Sequence, residues 1–118
     1  MTGRTDSLGH FEQLLLTAVM TLGEKAYGLA VFQKTSELAG KRVNLGAVYV
    51  VLDRLERKGY VSSRTEPGGP ERAGRPRRFF KILPAGERAL EESFTTSRRL
   101  AEDAEGWWSI FKWRPSGH

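Results

Sequence analysis

The stretch that decides the fold is Asn44–Gly59, NLGAVYVVLDRLERKG. Leu45, Val48, Leu52 and Leu55 recur at i, i+3, i+7 and i+10, with Val51 beside them, so they form one apolar stripe of a short helix. Asn44 is placed to cap the first turn, because its side-chain oxygen can accept from a free backbone N–H. Gly59 follows Arg57 and Lys58, the composition of a helix end in which a glycine takes the left-handed conformation. The opposite face carries Gly46, Ala47, Tyr49, Val50, Asp53, Arg54 and Arg57. Small residues at its tip permit a close approach to a groove. Tyr49 offers a ring and a hydroxyl there, or else packs against the preceding helix.

Upstream, Phe11, Leu14, Leu15, Ala18, Val19 and Leu22 keep the 3.6-residue period, which predicts a first helix from about Leu8 to Leu22. Gly23-Glu24-Lys25 is a connector to a second helix, Ala26 to Ala39, with Tyr27, Val31, Thr35 and Leu38 on one face. Gly28 is costly in a first turn and marks a close approach, either to another helix or to a phosphate. Downstream the period changes. Tyr60–Arg64 and Arg77–Leu83 read as strands. Between them, Glu66–Pro76 is dense in Gly and Pro and reads as an irregular tip. Phe79 and Phe80 cannot both face inward on a regular strand, so one belongs to the core and the other covers the hairpin or the last helix.

Pro84 opens a final helix, which Pro115 predicts to stop near Lys112. Leu90, Phe94, Ser97, Ala101, Ala104, Trp108 and Phe111 alternate in steps of four and three, the spacing of a coiled-coil seam, flanked by Leu100 and Trp107. So large an apolar face is more than a small soluble monomer usually exposes, and a second copy would bury it, the alternative being that the helix folds back, at least in part, on its own first helix. The expected fold is mainly α (α+β): a winged helix-turn-helix domain over 1–83, a dimerisation helix over 84–113 and a tail over 114–118.

Composition narrows the function. The net charge is +5, and the segment 41–81 holds eleven Lys/Arg against four Asp/Glu, a surplus of seven that leaves −2 for the remainder. A basic hairpin tip beside a helix with a narrow tip is what duplex DNA binding needs, the helix reading base edges and the arginines meeting phosphates or the minor groove. There is no cysteine, and the two histidines are His10 and His118, so thiol chemistry and cysteine-ligated zinc are excluded and no catalytic, metal or cofactor site is expected. The run Leu14–Leu22 is too short to span a bilayer, and no signal-peptide pattern is present, so the expected location is the cytoplasm. From Pro84 to Glu105 six acids oppose three arginines, which disfavours a membrane-surface role. The competing reading is a winged-helix protein–protein interaction module with no operator of its own.

AYG at Ala26–Gly28, NLGAVYVVLDRLERKGYV at Asn44–Val61 and GRPRRFFKILPAGERAL at Gly74–Leu90 resemble the PadR family of bacterial transcriptional regulators, in order and spacing, from about Leu8 to Leu90. The resemblance implies a homodimer joined through the last helix and repression at inverted-repeat operators. It places Tyr49, the small residues before it, and Arg75, Arg77 and Arg78 on the DNA side. With them Tyr27, Asn44, Gly46, Ala47, Val50 and Arg54 make up the expected DNA-binding set, and the seam residues the expected dimer interface. Two residues depart from the pattern: Asn44 stands where serine is common, and Phe79-Phe80 where tyrosines are frequent. Some short members bind flat aromatic compounds at the dimer interface through a mid-helix tryptophan. Here Phe94, Ser97 and Leu100 hold that place, and a pocket for a small aromatic effector or a docking site for another protein is left as an alternative to dimer packing for the cluster Trp107-Trp108-Ile110-Phe111-Trp113.

Overall fold

A computed structural model describes residues 8–111, with side chains described as far as Trp107. Trp108, Phe111 and Trp113 lie outside the described side chains. The chain runs α1 (His10–Leu22), a 3-10 turn (Gly23–Lys25), α2 (Gly28–Ala39), α3 (Leu45–Arg57), β1 (Val61–Glu66), a second 3-10 turn (Pro70–Arg72), β2 (Arg77–Ile82) and α4 (Pro84–Phe111). It is a winged helix: three helices, a two-stranded antiparallel sheet, and a long fourth helix.

The core lies where α1, α2, α3 and the sheet meet. Leu15, Leu16 and Val19 of α1, Val31 of α2, Val48, Leu52 and Leu55 of α3 and Phe80 of β2 are fully enclosed. The apolar stripe of α3 therefore begins at Val48, not at Leu45, which is 42% exposed because it projects from the first turn past the edge of the core. Leu38 is exposed at the far end of α2 for the same reason.

Local chemistry sets the ends of α3. The Asn44 side chain accepts the Ala47 N–H at 2.8 Å. At the other end Gly59 has φ +80°, its N–H donates to the Glu56 carbonyl at 3.0 Å, and the Tyr60 N–H donates to the Leu55 carbonyl at 2.9 Å. That double closure needs a residue at positive φ, which glycine supplies without steric cost. It turns the chain directly into β1.

The hairpin pairs Val61 with Ile82 through to Glu66 with Arg77, so β1 reaches two residues further than its alternation suggests. Its tip holds the 3-10 turn Pro70–Arg72, a regular element in a stretch that reads as wholly irregular. A further pairing is non-local. The Phe80 N–H donates to the Ala26 carbonyl at 2.8 Å, and Tyr27 bridges Phe79. Ala26 and Tyr27 are thus drawn onto the sheet edge, and α2 starts at Gly28 rather than Ala26.

The first turns of α4 belong to this same core. Ala89 and Leu90 are buried, Leu90 to 2% exposure. A Cβ on Gly86 would fall 3.0 Å from the Tyr60 carbonyl carbon, so glycine lets α4 press on the start of β1. Leu90 is therefore not available to a dimer seam: it fills its own chain's core. Phe94, Ser97, Leu100, Ala101 and Trp107 are exposed and Ala104 is half-buried.

One buried carboxylate ties α1 to α3. Glu12 accepts the Gly9 N–H at 2.9 Å and the Lys58 ammonium at 3.0 Å, with the Arg54 guanidinium 3.9 Å away. Burial alone would push its pKa up, but the Gly9 N–H and the two cations outweigh it and hold the pKa below the ordinary 4.5. A carboxylate with a depressed folded-state pKa contributes stability that is fully present above the unfolded value and is lost as pH falls through the folded one. Glu12→Gln is expected to lower stability by about 1.5–3 kcal/mol at neutral pH, the range for hydrogen bonds to charged groups. Urea titrations of both proteins should show that gap closing below pH 4.5; a gap independent of pH would refute the assignment.

Candidate nucleic-acid interface

On α3 the outward face carries Gly46, Tyr49, Val50, Arg54 and Arg57, all exposed, with Ala47 half-buried. Asn44 is exposed as well, though its oxygen is committed to the cap. Tyr49 settles the question left open at Gly28. A Cβ on Gly28 would lie 2.7 Å from Cε1 and Cζ of Tyr49, so the glycine makes room for this ring rather than marking a phosphate cradle. Tyr49 is still 37% exposed. It leans on the start of α2 and keeps an open flank.

Beside it, the sheet edge builds a stack. The Arg77 guanidinium lies 4.0 Å over the Tyr27 ring, Tyr27 meets Phe79 edge-on at 5.7 Å and 66°, and the Arg64 guanidinium lies 4.9 Å over Phe79. Cations over aromatic faces keep their charge while their apolar flanks are covered. Phe79 is thus the aromatic that covers the wing, and Phe80 the one in the core. At the wing tip, Arg72 and Arg75 each donate through Nε to the other's carbonyl, at 3.1 and 3.2 Å. This fixes the loop while leaving the charges uncompensated. Among the described residues no carboxylate pairs with Arg72, Arg75 or Arg77.

Arg78 is different, because its charge is matched within the chain. Its Nη2 is 2.7 Å from Glu56 and 3.0 Å from Asp53, its Nε donates to Ser63 Oγ at 3.2 Å, and its guanidinium lies 4.8 Å over the Phe80 ring. Partial burial alone would lower its pKa; the hydrogen bonds and charges of Asp53 and Glu56 more than offset this and raise it. Arg54 is half-exposed, with its guanidinium turned towards Glu12. Arg72 and Arg57 are cations that the expected DNA-binding set omits; the wing's arginine density was the signal for the first.

Residues 16–92 match the model of the transcriptional regulator PadR-like family. The chain belongs to the PadR-like family. Solved structures agree in fold. A PadR-like transcription factor from Bacteroides fragilis aligns with a TM-score of 0.67 at 24% identity, over 80% of this chain and 86% of that one. A PadR family regulator from Clostridium difficile R20291 aligns at 0.68 and 18% identity, over 84% and 98%. A PadR-like regulator from Bacillus cereus aligns at 0.66 and 19% identity, over 81% and 88%. Among curated proteins none matches this chain by sequence. This PadR-like protein is accordingly a DNA-binding transcriptional regulator and not an enzyme. Among its described residues there is no grouping of side chains suited to a metal ion, and no helix long and apolar enough to cross a membrane.

Proposed function

We propose that this regulator works in the cytoplasm as a homodimer that binds an inverted-repeat operator and represses transcription from it. One observation carries the reading. Arg77, with no carboxylate partner among the described residues, stacks on Tyr27, next to the Gly28 on which Tyr49 of the exposed, small-tipped α3 face leans, while α4 leaves its own core after Leu90 with an apolar stripe uncovered. Two copies joined along α4 would present two α3 helices with twofold symmetry, and a palindromic site mirrors that symmetry. In each half, α3 enters the major groove with Gly46, Ala47, Tyr49 and Val50 leading. Arg75 and Arg77 meet the backbone or the minor groove, and Tyr27 borders the same edge. Release by a small aromatic effector would use the groove between α1 and α4, where Met20, Leu90 and Phe94 border a space of about 270 Å³.

Selection of bound fragments from random duplex DNA is the direct test. A twofold-symmetric consensus is the expected result. Equal retention of every duplex, with no consensus, would favour a protein–protein module instead. Tyr49→Ala is expected to weaken binding to the recovered consensus by about 1–3 kcal/mol while unfolding stays cooperative. Unchanged affinity with a lowered melting point would show that the ring serves only α2.

A further inference from the structure

The wing must be held at a set angle if it and α3 are to touch one duplex together, and past the turn at Gly59–Tyr60 the backbone seats it on the start of α2, through Phe80 to Ala26 and Tyr27 to Phe79, and not on α3. The hairpin leaves α3 through that turn, and its strands continue three residue pairs beyond the seated Ser63–Phe80 pair. At about 3.3 Å per residue that outer part is roughly 10 Å long, so a tilt of about 10° at the seat moves its end about 1.7 Å, more than a hydrogen bond tolerates.

Arg78 acts within that outer part. It is the second residue of β2 and stands opposite Thr65, whereas the base of the hairpin is the Val61–Ile82 pair. Its partners, Asp53 and Glu56, are three residues apart and so share the side of α3 that faces the sheet. Ser63 of β1 closes the cluster, its hydroxyl 3.0 Å from both Glu56 oxygens and 3.2 Å from Arg78 Nε. One guanidinium thereby joins α3, β1 and β2. Two carboxylates against one guanidinium leave the cluster at −1, a charge that repels phosphate.

We infer that Arg78 is a positioning residue, which sets the angle of the wing against α3 by gripping Asp53 and Glu56 and does not itself touch DNA. This rests on the operator reading above. The grip should appear in the discrimination between duplexes and not in the count of phosphates met. Arg75, at the open tip, is the contrasting case.

The experiment compares affinity for a duplex recovered by selection with affinity for a scrambled one, across a salt series, together with a melting curve for each variant. Arg78→Gln is expected to reduce the ratio of the two affinities about tenfold, with the salt slope unchanged because no phosphate contact is lost. Asp53→Asn/Glu56→Gln keeps the arginine but removes its hold, and should reduce the ratio to a similar extent even as lost negative charge tightens binding to both duplexes. Arg75→Ala should instead weaken both duplexes alike and lower the salt slope by about one phosphate. Arg78→Gln behaving like Arg75→Ala would overturn the inference. So would an unchanged ratio in Asp53→Asn/Glu56→Gln, which also decides the matter if Arg78→Gln fails to fold. If the wild-type protein prefers neither duplex, the operator reading itself fails, and that is seen before any variant is made.

Discussion

Phe80→Ala is expected to cost about 3–5 kcal/mol of folding free energy, a large part of the roughly 5–15 kcal/mol that holds an ordinary domain together. Phe80 is 1% exposed and is the largest of the fully enclosed side chains. It joins three parts of the molecule: its ring lies in the core, its N–H holds Ala26 to the sheet edge, and its face lies under the Arg78 guanidinium. Truncation leaves a cavity that these partners cannot close without giving up the wing's seat, so both the lost transfer free energy and the cavity add to the cost. Phe79→Ala is the control. That ring is only half-buried, between Tyr27 and Arg64, so a loss of about 1–2 kcal/mol is expected from its smaller burial. Denaturant titrations of the two variants decide it. Equal losses would mean that the strand's inward face has been misassigned.

The features legible in the chain were those that short segments decide for themselves. The start of α3 at Asn44 and its end at Gly59 follow from capping chemistry within a few residues, and the core stripe from Val48 to Leu55 follows from period alone. The misread features depend on what lies across the fold. Leu90 and Phe94 keep one spacing, yet Leu90 meets the chain's own α1 while Phe94 stands open; a period reports which residues share a face, not what covers it. The early start expected for α2 failed because Ala26 and Tyr27 answer to a strand more than fifty residues away. Arg78 shows the limit of carrying a family's residues over by motif. Its place in the run Arg75-Pro76-Arg77-Arg78 makes it look like one more basic wing residue, but strand alternation turns it inward. Only the register with β1 and the position of Asp53 and Glu56 reveal that its charge is already matched. By contrast, Gly28 was readable as a close approach, and only its neighbour, Tyr49, needed the structure.

The second large effect is expected at Leu100, where glutamate should convert the proposed dimer into a folded monomer. Leu100 is 65% exposed and lies between Phe94 and Trp107 on the part of α4 beyond Leu90. Burying one leucine contributes about 1.5–3 kcal/mol, and a twofold interface counts it twice. A glutamate there loses that burial and places an unpaired charge at the flank of the seam. It also joins a helix that already carries six acids against three arginines between Pro84 and Glu105, so the two copies repel. The chain's own core is untouched, because Leu100 takes no part in it, and the melting transition of the monomer should stay cooperative. Leu90→Glu, by comparison, would unfold the domain and say nothing about association. Operator binding is expected to fall by at least about a hundredfold, since a monomer engages one half-site and loses the effective concentration that the joined second half provides. Sedimentation and operator titration on the same samples test the two consequences together. A Leu100→Glu protein that sediments as a dimer would remove α4 as the seam, and one that is monomeric with undiminished operator affinity would remove the need for a dimer at all.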